Sequence, residues 1–123
     1  MPDKDIFTLT ISELSHYIST RQISPVEVLN EYIERIEKTD PQLNSFITKM
    51  FEHGARKAED AERQILKGEY KGPLHGIPIG LKDLFWTKGT TTTSGSDINK
   101  EFVPTRNSTV ADLLNIAGSY CIG

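Results

Sequence analysis

The chain has one cysteine, Cys121, among its 123 residues, so it cannot close an internal disulfide. That excludes a disulfide-stapled secreted scaffold and fits a reducing compartment, the cytoplasm. Positive charge is not in excess either. Fourteen Lys and Arg against 17 Asp and Glu leave a net charge of -3, and no basic face emerges, which argues against nucleic acid as a direct partner. Long hydrophobic runs are missing, so no segment reads as a membrane span, and the charged start Met1, Pro2, Asp3, Lys4 and Asp5 does not read as a secretory leader. The three histidines, His16, His53 and His75, share no ligand spacing, so no metal site is expected. What remains is an ordinary globular composition, 37% hydrophobic without counting glycine, long enough for one domain with its own core.

Helix signals dominate the first half. Thr10 is a candidate N-cap for an amphipathic stretch carrying Ile11, Leu14 and Ile18 on one face. Ser24, Pro25 and Glu27 fall at N-cap, N1 and N3, a capping box with proline where its missing N–H does no harm. The helix they open carries Leu29, Tyr32, Ile33 and Ile36, and Asp40-Pro41 is expected to stop it. Residues 43–48 read as a short strand anchored by Phe46. A third helix is predicted from Phe51 to about Leu66, with Ala55, Ala58, Ala61 and Ile65 on a narrow face and Glu52/Arg56 and Glu59/Arg63 pairing on the other. Gly68 ends it.

The second half changes character. Lys71-Gly72-Pro73 is a loop, residues 77–81 read as a strand, and a Gly/Thr/Ser region spans 88–96. A last helix is predicted from about Ser108 to Ala117, with Val110, Leu113, Leu114 and Ala117 buried and Gly118 closing it. Ser119, Tyr120, Cys121, Ile122 and Gly123 then begin another strand. Strand, loop, helix and strand in that order predict a parallel βαβ unit, and such sheets are normally covered on both faces. The expectation is therefore the front piece of a larger protein, with residues 1–72 mainly helical and 73–123 the start of an α/β core.

Lys82 is the residue that points to chemistry. It follows Ile77, Ile79 and Leu81 in a Gly/Pro-punctuated apolar run, with Pro78 and Gly80 on its own side of an extended segment. Small neighbours leave room for a second group beside the amine. Apolar flanks withdraw water from it and so favour the neutral, proton-accepting form. From sequence physics alone, an exposed strand-end lysine is the competing reading. Asp83 alternates to the other face and is expected to anchor the following turn. The glycines do not make a phosphate loop: the spacing is Gly-x3-Gly-x-Lys, and Asp83 stands where Ser or Thr is required. Cys121 reads as a small buried hydrophobe.

The run from Gly72 through Gly76-Ile77-Pro78-Ile79-Gly80-Leu81-Lys82-Asp83 resembles the lysine-bearing segment of the amidase signature family. Gly89 with Thr92, Thr93, Ser94, Gly95 and Ser96 is similar to the loop that follows it there, and Phe102-Val103-Pro104, Ser108-Thr109-Val110, Ala117-Gly118 and Ile122-Gly123 continue the likeness. Ser24, Pro25, Val26, Glu27, Val28 and Leu43-Asn44-Ser45-Phe46 look like its N-terminal part. Relatives include stand-alone amidases and the amidase-like component of the tRNA-dependent glutamine amidotransferase. The resemblance implies an α/β/α fold with helices around a mixed sheet, present here only in part. It also implies hydrolysis of a small-molecule amide, without a cofactor, through a Ser–cis-Ser–Lys triad in which Lys82 is the lysine.

The family places both serines further along than these residues, so the chain by itself is expected to be inactive and its amine hydrated. Thr93, Ser94, Gly95 and Ser96 are candidates for a loop bordering the substrate, not for nucleophiles; a flexible polar loop is the alternative. A second reading of the whole chain is a non-catalytic module that self-associates through uncovered apolar stripes and an unpaired strand, giving a homo-oligomer.

Overall fold

The structure is a computed structural model that describes residues 5–123. The charged stretch formed by residues 1–4, read above as no leader, lies outside the described residues. Three helices pack first: α1 (Ile11–Ser19), α2 (Pro25–Leu43) and α3 (Phe51–Leu66). They are followed by β1 (Pro78–Ile79), α4 (Thr109–Ile116) and β2 (Tyr120–Cys121), with β1 and β2 paired in parallel. The predicted βαβ unit is therefore present, and its ladder reaches past the short strands. Tyr120 N–H donates to Ile77 C=O (3.3 Å), Ile122 N–H to Ile79 C=O (2.9 Å) and Leu81 N–H to Gly123 C=O (2.9 Å). No helix among the described residues is long and apolar enough to cross a membrane.

Local chemistry sets the first two helix starts. Thr10 Oγ1 accepts from Glu13 N–H while the Glu13 carboxylate accepts from Thr10 N–H, and Ser24 and Glu27 repeat the arrangement. Ile18, Val28 and Leu29 are buried at 0–1% exposure and belong to two adjoining core clusters. Ile11, by contrast, is exposed, so the α1 face is carried by Leu14 and Ile18. On α3 the observed ion pair joins Arg63 to Asp60, one turn back, and not to Glu59.

Two expectations for residues 40–48 fail for one reason. The helix α2 runs past Pro41 to Leu43, and residues 44–48 form no strand. Buried Asp40 captures the chain here: its carboxylate accepts the N–H groups of Ser45 (2.7 Å) and Phe46 (3.3 Å) and pairs with Lys49 (3.2 Å). Asn44, left-handed at φ 52°, donates its N–H to Asp40 C=O at 2.7 Å. Backbone donors that a ladder would need are thus taken by one carboxylate. Burial pushes that carboxyl up, but the Ser45, Phe46 and Lys49 contacts outweigh it and hold it below its ordinary range.

On α4 the predicted stripe also needs correction. The buried residue is Ala111, while Val110 and Leu113 face outward with Ile116. Ala111 and half-buried Leu114 line a hollow with Ile79, Leu81 and Cys121, so that side of the helix is the covered one and the larger apolar residues Val110, Leu113 and Ile116 are left exposed.

His75 ties the halves together. Its ring is 1% exposed. Nδ1 accepts from Lys71 N–H (3.0 Å), which leaves Nε2–H to donate to Gln64 Oε1 (3.0 Å). The Tyr70 ring stacks on it, and Tyr70 Oη bonds Ser15 Oγ of α1 at 2.6 Å. Gly118 closes the pocket from the other side: at φ +88°, a Cβ there would stand 2.6 Å from His75 Cδ2. Burial, and then the Lys71 ammonium, hold His75 below its ordinary 6.5; burial, Lys57 and Arg56 do the same to His53. The unfolded chain accepts these protons and the folded chain resists them, so stability is intact above 6.5 and falls as the pH drops below it. Urea unfolding is expected to show a midpoint that declines from about pH 7 to about pH 5.5, above the range where carboxylates titrate. In His75→Gln the decline should be shallower; an identical decline in that variant would remove His75 as its source.

Candidate active site

A cleft of about 610 Å³ opens where β1 ends. One wall is the chain leaving β1, Gly80 to Phe85. The second is Ser45, Phe46 and Thr48 from the segment clamped by Asp40. Thr90, Ser94 and Gly95 form the third, and Cys121 and Gly123 lie at its base. The segment that the sequence suggested as a strand is thus a cleft wall, placed by Asp40 and by Met50 N–H donating to Ile122 C=O at 2.9 Å.

Lys82 lines this cleft and its side chain is exposed. Its backbone is fixed: the Lys82 carbonyl accepts from Leu84 N–H (2.7 Å) and Phe85 N–H (3.0 Å), a tight turn in place of a phosphate-loop helix. The amine makes no hydrogen bond or ion pair among the described residues. Space beside it is real, since the atoms nearest a Cβ at Gly80 are Gly123 O at 3.9 Å and Phe46 Cε1 at 4.0 Å. Apolar neighbours supply the floor without covering the head group. Cys121 is buried, its Sγ donating to Gly123 C=O at 3.3 Å, and burial pushes the thiol up.

Asp83 makes no ion pair with the amine among the described residues. Its carboxylate accepts Thr93 N–H at 2.9 Å and the Thr93 hydroxyl, and its carbonyl accepts Ser94 N–H at 2.7 Å. The anchored element is therefore the Thr/Ser loop ten residues away, beyond the adjacent turn. The four loop candidates separate by role. Thr93 is spent on Asp83; Ser94 and Gly95 line the cleft; Ser96 caps a short 3-10 turn (Asp97–Asn99) by accepting from Ile98 N–H, and does not line the cleft.

The Amidase family model matches residues 27–123. The chain belongs to the amidase signature family. It is 42% identical over 119 residues to a glutamyl-tRNA(Gln) amidotransferase component of Geobacter sp. (strain M21), covering 97% of this chain and 24% of that protein. It is 40% identical over 122 residues to a putative amidase, AmiD, of Mycobacterium bovis, covering 98% and 26%. Among solved structures it superposes on a bacterial aryl acylamidase of the amidase signature family with a TM-score of 0.85 at 32% identity, covering 94% of this chain and 24% of that one. A peptide amidase from Stenotrophomonas maltophilia gives 0.87 at 25% identity, with the same coverage. The chain thus spans about a quarter of the length of the relatives it matches, and the helix-rich α/β arrangement with its small sheet is part of the amidase signature fold.

Sequence reasoning did not single out Asp40 or the cleft wall it sets. The signal was present as Asp-Pro followed by Asn-Ser, but its reach of five and six residues exceeds a local turn. In Asp83→Ala the loop should come free of β1: amide hydrogen exchange at Thr93 and Ser94 is expected to accelerate by at least about tenfold, while exchange in α2 and α3 stays unchanged. Unchanged protection at those two amides would show that Asp83 does not hold the loop.

Proposed function

We propose that these residues are the lysine-bearing part of an amidase that hydrolyses a carbon–nitrogen amide bond by a Ser–cis-Ser–Lys mechanism, with Lys82 as the base. Both serines would come from outside residues 1–123. Neutral Lys82 Nζ takes a proton from the bridging serine, which takes one from the nucleophilic serine. The serine oxygen then attacks the amide carbon, forming a C–O bond and a tetrahedral oxyanion. Return of the proton to nitrogen lets the C–N bond break and ammonia or an amine leave. Water, deprotonated by the same route, cleaves the acyl-enzyme to the acid and restores the serine.

The observation that carries this reading is an amine with no partner among the described residues, on a fixed backbone, facing a cleft with open space beside Gly80. A lysine serving only structure would be expected to pair with the neighbouring carboxylate, and Asp83 is instead committed to Thr93. The amide-related names of the relatives agree with the assignment. Neither Ser94 nor Ser96 suits the nucleophile's role, since Lys82 bonds to neither and Ser96 serves as a cap. Residues 1–123 alone are accordingly expected to be inactive. In a protein of family length carrying this segment, Lys82→Ala is expected to lower kcat/KM on simple amides by on the order of 10³-fold with the thermal midpoint unchanged, because the amine is exposed. A fully active, folded variant would overturn the role.

A second reading, a module that self-associates without catalysis, draws on the exposed Leu113 and Ile116 of α4 and on Ile98, which is 94% exposed. Sedimentation of residues 1–123 decides it: that reading expects a concentration-dependent dimer, and a monomer at high concentration removes it.

A further inference from the structure

Ser94 is a non-glycine residue held at φ 53°, followed by Gly95 at φ 67°. Ser96 N–H donates to Thr93 C=O at 3.0 Å across the pair, as in a type I′ turn. Glycine, asparagine or aspartate is the usual occupant of the first of these positions, and serine is strained there. Such strain persists only where the surroundings over-determine it, and here they do. Four consecutive N–H groups are assigned: Thr93 to the Asp83 carboxylate, Ser94 to the Asp83 carbonyl, Gly95 to Thr93 Oγ1 (3.1 Å) and Ser96 to Thr93 C=O. The Thr93 hydroxyl donates to Asp83 while accepting from Gly95. No backbone donor of the turn is left for an oxyanion. Among the described residues, the Ser94 hydroxyl is the one polar side chain of the turn without a protein partner, and it is exposed on a residue that lines the same cleft as Lys82.

We propose that Ser94 is a substrate-binding residue, its hydroxyl a hydrogen-bond partner for the amide substrate, and that Asp83 is a positioning residue that holds it there through Thr93. Asp83 directly follows Lys82 in the chain, so one residue sets the distance between the base and the substrate contact. Glycine would fit the turn without strain but would offer no hydroxyl to the cleft. This inference rests on the amidase reading above and adds to it the residue that contacts the substrate.

The test uses the family-length protein and whichever of a panel of simple anilides and primary amides it hydrolyses fastest. Ser94→Gly is expected to raise the thermal midpoint, by relieving the left-handed strain, and yet to raise KM by about tenfold with kcat little changed. A residue with a purely structural role would not move stability and KM in opposed senses. Ser94→Ala should raise KM equally without the stability gain. Asp83→Asn should raise KM while leaving the pH profile of kcat in place, since Lys82 is not its partner. If Lys82→Ala is inactive but both Ser94 variants keep the parent KM, the inference fails and the amidase reading stands. If Lys82→Ala is active, or no amide in the panel is hydrolysed, both fail together.

Discussion

The parallel pairing of residues 77–81 with 120–123 is the constraint on which the rest of the cleft depends. Leu81 N–H bonded to Gly123 C=O fixes the last ordered step before Lys82, and Ile122 C=O accepting from Met50 fixes the opposite wall through the same strand. A two-stranded parallel ladder of this length is marginal by itself. Its support comes from outside the sheet. The Tyr120 hydroxyl donates to Pro25 C=O at 3.3 Å in the core, Ile122 lies against Gly54 of α3, and His75 packs into the turn at Gly118 just before β2. Burial pushes the Tyr120 phenol far up, so it stays a neutral donor there. The helical half is thus the buttress that lets two short strands hold a lysine in place.

Charge around the cleft is arranged by committing its carboxylates to backbone donors. Lys82 and Asp83 are adjacent in sequence and both line the cleft, yet only Asp83 has a partner among the described residues, the Thr93 backbone and hydroxyl. Asp83 is consumed by Thr93, and Asp40 by Ser45, Phe46 and Lys49. Each carboxylate is tied to the backbone of a cleft wall, Asp83 to the loop at Thr93 and Asp40 to the segment at Ser45 and Phe46. The result is an exposed amine at the cleft, without a partner among the described residues. Under the proposed function it would serve as a base once further surface excludes water from it.

What was legible in the sequence was mostly local. The Thr10 cap and the Ser24/Glu27 capping box involve contacts three residues apart and are present as read, and the structure adds Glu13 to the first of them. The βαβ order and the lysine motif were also legible, the first from periodicity and turn residues and the second from family likeness. The misreadings share a cause in contacts of longer range. Nothing near Pro41 reveals that the Asp40 carboxylate reaches to Phe46, and periodicity on α4 shows that the helix is apolar without saying which side is covered. The candidates Thr93, Ser94, Gly95 and Ser96 could not be ranked until Asp83, ten residues earlier, was seen to hold Thr93.

The account turns on what stands next to the Lys82 amine once the remaining surface is in place. A crystal structure of a family-length protein carrying this segment reads that neighbour directly. The account predicts a serine hydroxyl, contributed from outside residues 1–123, within about 2.6–3.2 Å of Lys82 Nζ, with Asp83 still bonded to Thr93. An amine left in open solvent, or one paired with a carboxylate, would contradict it.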